Sequence, residues 1–290
     1  METELIQIVK SLSRPIEPLP TGMRIDLHPV DSIETVLFDV YGTLLISGSG
    51  DVGTAAATDS AEALTQALLA SGYKGNLERA GELGPEMMQA EIRLWHEKAK
   101  QNGFEYPEVD ISKVWKNVIG HFQALEILKP DDDDGKILRL AVEYECLVNP
   151  AWPMPGARET ITFLKKRGFK LGIVSNAQFY TPLTLQALLG QSVEELGFDP
   201  ELCVWSYKKL RAKPDIKLFQ GLEKSVDLSK ALYVGNDMLN DIWTATQAGC
   251  QTILFAGDQR SLRRREQDSR CKKLIPTAVV DDLRQITEMV

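Results

Sequence analysis

The stretch Val36-Leu37-Phe38-Asp39-Val40-Tyr41-Gly42-Thr43-Leu44 decides how this chain is read. An apolar run with the character of a buried strand ends by presenting one carboxylate, Asp39, to a glycine-containing turn. Such an arrangement is one way to build a nucleophile. Outward from it, short apolar runs recur at Val36 to Val40, Lys170 to Ser175, Leu202 to Trp205, Ala231 to Gly235 and Gln251 to Phe255. Helical patterns at 157–167, 215–225 and 240–248 fall between them. This alternation predicts an α/β fold, a parallel sheet covered by helices on both faces.

One segment breaks the rhythm. Residues 48–152 carry no convincing strand but show helical patterns near 58–70, 85–101, 111–127 and 136–148. They read as an all-helical insertion forming a separate lobe between the first and second strands, with residues 31–47 and 153–290 forming the core. Gly and Pro enrich both edges, Ser47-Gly48-Ser49-Gly50 and Pro150-Ala151-Trp152-Pro153-Met154-Pro155-Gly156, as expected of hinges. Residues 1–30 form an N-terminal extension, with an amphipathic helix over 3–13 and an extended connection imposed by Pro15, Pro18 and Pro20.

Composition narrows the class. The 290 residues are 43% hydrophobic, enough for a real core, and the net charge of -8 argues against a broad nucleic-acid footprint. Neither a long apolar segment nor a basic leader precedes the fold, so the expectation is a cytoplasmic protein without membrane partners. Cys146, Cys203, Cys250 and Cys271 are widely spaced and read as reduced, inert thiols.

In open parallel sheets the active site lies at the carboxyl ends of the strands. That rule gathers four loops: Asp39 and Tyr41; Ser175-Asn176; Lys213-Pro214-Asp215; and Gly235-Asn236-Asp237 with Asp241. Three carboxylates in one site repel one another, and Lys213 alone is a poor match for them. A hard divalent ion such as Mg²⁺, with oxygen ligands and a substrate phosphate, fits that charge. Ser175 and Lys213 suit phosphate oxygens, so the set points to phosphoryl transfer through an aspartyl-phosphate.

The order of these motifs resembles the haloacid dehalogenase superfamily: FDVYGTL as its first motif, IVSN its second, KPDIKLF its third and VGNDMLNDIWTATQAG its fourth. The resemblance covers residues 33–290 apart from the insertion, and implies a Rossmann-like core with a mobile helical cap. It implies Asp39 as covalent nucleophile, Lys213 as the lysine that steadies nucleophile and substrate, and Gly42, Thr43, Ser175 and Asn176 as substrate-binding residues. Asp39, the main-chain carbonyl of Tyr41, Asn236, Asp237 and Asp241 become the magnesium ligands, and a small phosphate ester the substrate.

Two departures matter. Phosphatases of the family carry a second aspartate where this chain has Tyr41, expected here as the catalytic residue that protonates the leaving group: its phenol, with a pKa of about 10, could donate a proton at neutral pH but would be a poor general base. Asn236 stands where many members have aspartate. Tyrosine at position 41 is also the choice of the family's 2-haloacid dehalogenases, whose halide needs no proton to leave. Against that reading, Phe219 and Met238 replace a tyrosine and an asparagine of those enzymes, and only Arg79 or Arg93 offers itself as a halide-receiving arginine. A binding module with a decayed site is a third reading, opposed by the retention of Asp39, Lys213, Asp237 and Asp241.

Other features take bland readings. Gly48 to Gly53 matches GxGxxG but lies at the insertion boundary, so it reads as a hinge; Asp131 to Asp134 reads as a solvated acidic turn. His28, His96 and His121 have no motif partners, Trp95 and Trp115 read as packing residues, and Arg260 with Arg263 to Arg265 as a solvated helix face.

Overall fold

A computed structural model describes residues 1–49, 57–131 and 133–290. Its strands are β1 (Thr35–Phe38), β2 (Leu45–Ser47), β3 (Ala151–Pro153), β4 (Lys170–Ser175), β5 (Phe198–Trp205), β6 (Ala231–Gly235), β7 (Gln251–Phe255) and β8 (Ala278–Val280). Six of them form a parallel sheet in the order β5-β4-β1-β6-β7-β8. Every residue of β1 is buried, as a central strand covered on both faces requires. The chain runs outward from β1 through β4 to β5, then returns to its other side for β6, β7 and β8. That reversal opens a crevice at the carboxyl end of β1, where Asp39 follows.

The helices are α1 (Glu2–Leu12), α2 (Ala57–Ala70), α3 (Leu77–Gln101), α4 (Ile111–Ala124), α5 (Asp134–Val148), α6 (Ala157–Lys166) and α7 (Thr181–Leu189), with shorter turns between later strands. Helices α2 to α5 pack on one another around Leu64, Phe122, Leu140 and Trp115, whose ring meets Tyr144 edge-on at 5.1 Å. Trp115 is thus a packing residue, whereas Trp95 is half-buried and donates to Glu91. Helix α3 begins before Pro85, where the pattern alone places its start, because Asn76 caps it by accepting from the Arg79 N–H. The acidic turn is the cap of α5: Asp133 accepts from the Gly135 N–H and Asp131 pairs with Lys136.

Several expectations give way to tertiary structure. The proposed hinges carry β2 and β3, which pair antiparallel; of the GxGxxG stretch, Gly48 donates to the Pro150 carbonyl and residues 50–53 lie outside the described residues. The segment 215–225 forms two short 3-10 turns, separated by Gly221 at φ 106°, in place of a helix. Residues 240–248 form a π-helical turn, Met238–Trp243, leading into Thr244–Gln247. The basic cluster at 260–265 is irregular chain. Strand β8 and helix α7 lay outside the predicted pattern, the former because three residues leave no readable period. All four cysteines are free, and no described helix is long and apolar enough to cross a membrane.

The N-terminal extension is anchored to the rest of the protein at several points along its length. Helix α1 wedges Leu5, Ile6 and Val9 against Val142 of α5 and Leu183 of α7. Beyond it, Leu19 N–H donates to Asp258, Asp26 pairs with Val279 and Val30 N–H donates to the Met289 carbonyl.

The insertion is tied to the core at the end of α5. Glu145 accepts from the Tyr180 hydroxyl at 2.9 Å and from the Asn149 amide at 3.0 Å, while Asn149 Oδ1 accepts from the hydroxyls of Ser47 and Ser49. Burial raises the Glu145 carboxyl above its ordinary range, outweighing those donors. Such a group holds its proton more tightly folded than unfolded, so its stabilising contribution is full at low pH and is lost as pH rises through the folded pKa. Glu145→Gln removes the titration and keeps the shape. Its melting temperature relative to wild type should climb as pH rises above the ordinary glutamate range of about 4.3, and a gap that stays constant as pH rises would show that Glu145 does not titrate with a raised pKa.

Candidate active site

Asp39 is fixed by its backbone, the N–H donating to the Val234 carbonyl of β6, so its carboxylate sits where β1 and β6 end. Lys213 reaches it from the loop after β5: Nζ lies 2.7 Å from Asp39 Oδ1, 2.5 Å from Asp241 Oδ1 and 2.9 Å from the Tyr233 hydroxyl. All three ammonium hydrogens are thereby used. Burial works against the Lys213 charge, but Asp241 and Asp39 outweigh it and hold its pKa up. Asn176 positions this lysine by its backbone, accepting from the Lys213 N–H at 2.7 Å and donating to its carbonyl at 3.3 Å. The peptide bond from Lys213 to Pro214 is cis.

Asp241 is seated by four donors. Its Oδ2 accepts from the N–H groups of Asn236 and Asp237, both at 2.9 Å, while Oδ1 takes Lys213 and lies 3.2 Å from the Tyr233 hydroxyl. Burial nevertheless pushes its carboxyl above the usual range, with Lys213 opposing and Asp39 adding to the rise. Gly235 makes the seat possible, since a Cβ there would stand 2.4 Å from Asp241 Cγ. Gly42 has a similar role at φ 83°: a side chain would meet Ser261 Cβ at 2.5 Å and the Asn236 amide at 2.7 Å.

Asp237 faces a different partner. Arg265 grips it with Nε at 3.1 Å from both oxygens and Nη2 at 2.5 Å from Oδ2, and Oδ1 also caps the π-helical turn through the N–H groups of Leu239 and Asn240. Asn236 is held likewise. Its Nδ2 donates to the Ser261 carbonyl at 2.7 Å and its Oδ1 accepts from Thr43 at 3.0 Å. The segment 261–265 runs beside 236–238, with Arg263 exchanging backbone hydrogen bonds with Asn236 and Met238. The basic cluster therefore borders the site, which corrects its reading as a solvated helix face.

These groups enclose a polar pocket of about 80 Å³ whose lining includes Asp39, Tyr41, Asn176, Lys213, Asp237 and Arg263. Two residues expected to bind substrate stand behind that lining. Thr43 is fully buried and spent on Asn236, and Ser175 is buried with its hydroxyl 3.4 Å from the Asn176 carbonyl. The Tyr41 phenol is directed at Thr181, 3.3 Å away, and burial, then the Glu145 carboxylate, push its pKa up. Within the helical insertion, and edged by Gln178 and Tyr180 of the core, lies a larger, mostly apolar chamber of about 600 Å³ bordered also by Arg93, His96, Glu108 and Glu145. Of the two candidate halide-receiving arginines, Arg93 reaches this chamber, whereas Arg79 is exposed and pairs with Glu82.

The expected magnesium ligands Asp39, Tyr41, Asn236, Asp237 and Asp241 all border this pocket, but the fourth-motif side chains have other partners. Asp241 has its oxygens on Lys213 and two backbone donors, Asp237 is taken by Arg265 and Asn236 by Thr43 and Ser261. Among the described residues, no group of three His, Cys, Asp or Glu side chains is placed to hold a metal ion. The repulsion that called for a dication is met by protein cations, because Arg265 joins Lys213 among the three carboxylates. Sequence reasoning missed Tyr233, Ser261, Arg263 and Arg265. Only Tyr233 carried a signal: a hydroxyl in an otherwise apolar buried strand needs a partner, and it finds the Val174 carbonyl at 2.6 Å.

Known proteins can now be set beside this geometry. Over 148 residues the chain is 26% identical to glyceraldehyde 3-phosphate phosphatase of Methanothermobacter thermautotrophicus, 48% of this chain spanning 58% of that protein's length. Its fold is like that of a 2-haloacid dehalogenase from Pseudomonas syringae, with a TM-score of 0.56 and 24% identity over 89% of this chain and 97% of that one. It is also like a HAD phosphatase from Thermococcus onnurineus, with a TM-score of 0.50 and 18% identity over 89% and 97%. Residues 33–249, which carry all four site loops, match the haloacid dehalogenase-like hydrolase family. An acid held by a lysine at the switch point of a parallel sheet, beneath a helical insertion, thus has its explanation in descent, and this chain belongs to the haloacid dehalogenase-like hydrolases.

Proposed function

We propose that this hydrolase releases phosphate from a small phosphorylated substrate through a covalent intermediate on Asp39. The observation that carries the reading is the lysine clamp: Lys213 fixes Asp39 Oδ1 at 2.7 Å, while Oδ2 takes no hydrogen bond among the described residues and borders the pocket. A carboxylate held by one oxygen and open at the other is poised for attack. Asp39 Oδ2 attacks phosphorus, the bond from phosphorus to the leaving oxygen breaks, and that oxygen departs with the electron pair. Water then attacks phosphorus and returns Asp39 as a carboxylate. Lys213 offsets charge at the nucleophile, and Asn176 keeps Lys213 in place. Likeness to a phosphatase in sequence supports the same reading.

The fourth-motif side chains expected to hold magnesium are committed to protein partners. Tyr41 is not assigned as the acid that protonates the leaving group, because its hydroxyl faces Thr181 and burial makes it a weaker acid. The substrates favoured are therefore those whose leaving groups depart without a proton.

That same feature supports a second reading, hydrolysis of a 2-haloacid through an ester on Asp39. Halide leaves unprotonated, and Arg93 stands in the chamber.

Parallel assays of phosphate release from an aryl phosphate and halide release from a 2-haloacid distinguish the two. Phosphate release should dominate and should fall by at least about a thousandfold in Asp39→Asn; halide release alone would replace the first reading with the second. Tyr41→Phe should change aryl phosphate turnover by less than about tenfold, whereas Tyr41→Asp should increase turnover of alkyl phosphates, whose leaving group needs a proton. A large loss in Tyr41→Phe would show that the phenol takes part in the chemistry.

A further inference from the structure

We infer that Arg265 is a built-in counter-cation that takes Asp237 out of any metal ligand set, so that this site holds its charge without a resident divalent ion. The inference concerns the same site as the phosphoryl-transfer reading, but it is tested by binding rather than turnover, so either can fail alone. The guanidinium contacts both oxygens of Asp237, and bidentate pairing of this kind is the geometry in which arginine holds a carboxylate best. Asp237 is buried while the Arg265 side chain is 35% exposed, so the pair is partly shielded from salt.

The neighbouring donors are withdrawn as well. Asn236, where a charged ligand would add most to affinity, is uncharged and has its amide fixed between Ser261 and Thr43. Asp241 has no oxygen left to offer, with two backbone donors on Oδ2 and Lys213 on Oδ1. Asp39, Asp237 and Asp241 all border the pocket, and each is already paired with a protein cation, Asp39 and Asp241 with Lys213 and Asp237 with Arg265. Mg²⁺ seeks near-octahedral oxygen coordination and gives up its waters reluctantly. Carboxylates already paired with two protein cations do not draw it in.

Arg265 is delivered by a loop that the N-terminal extension braces. Leu19 N–H donates to Asp258, Arg260 reaches the Glu17 carbonyl at 2.5 Å, and Asp258 holds Arg260 at 3.1 Å. From there the chain passes Ser261 and Arg263 along the fourth motif to Arg265. The extension so acquires a role: it supports the segment whose arginine balances the site.

The test measures Mn²⁺ binding by electron paramagnetic resonance, with Mg²⁺ in competition, on wild type, Arg265→Gln and the double variant Asn236→Asp/Arg265→Gln. Wild type should show no saturable binding at about 1 mM free cation, and the double variant should bind at least about tenfold more tightly. Saturable, Mg²⁺-competed binding by wild type would overturn the inference. So would a double variant, folded by circular dichroism, that binds no better than wild type. If the double variant does not fold, Arg265→Gln alone carries the test: tighter Mn²⁺ binding than wild type supports the inference, and unchanged binding overturns it.

Discussion

The ammonium of Lys213 is the contact on which the rest of this site depends. It stands between Asp39 and Asp241 with Tyr233 as third acceptor, and it is almost entirely buried. A lone buried ammonium or a pair of buried carboxylates would each be strongly disfavoured, so neither half of the cluster is tenable without the other. Strand order supplies the juxtaposition. Asp39 follows β1, Lys213 follows β5, and Asp241 follows β6, three loops distant in sequence that a parallel sheet brings to one edge. Asn176, at the end of β4, then holds Lys213 by its backbone.

Around that contact the site is balanced by arginine. The grip of Arg265 on Asp237 and the bordering position of Arg263 make the fourth motif a charge-compensated surface. This bears on chemistry, because a nucleophile beside preorganised protein cations needs less help in stabilising charge that develops on the substrate. It also links the N-terminal extension to the site through Asp258 and the loop that follows.

The helical insertion completes the picture from above. Its own core, centred on Leu64, Trp115 and Phe122, holds the helices together, and its contacts with the core of the protein include Glu145 and Asn149 at the end of α5 and the segment 106–111, which bonds Gln178, Ser206 and Ala212. The chamber within the insertion, edged by Gln178 and Tyr180, is mostly apolar with a few polar groups, a composition suited to seating a small organic molecule.

The sequence by itself determined the α/β class, the central strand with its terminal acid, the all-helical insertion and the four loops that meet at one sheet edge. Apolar periodicity and glycine placement are local properties, so Val36 to Asp39, Lys170 to Ser175 and Ala231 to Gly235 announce themselves. Tertiary structure decided what those loops do to one another. Nothing local says that Arg265 lies on Asp237, that Thr43 and Ser261 hold Asn236, or that the Tyr41 phenol turns to Thr181. Three-residue strands such as β2, β3 and β8 escaped for a related reason, since so short a run has no period and is fixed only by its partner. A carboxylate's position can be read from the strand that carries it, but its charge partner comes from whichever distant segment the fold lays beside it.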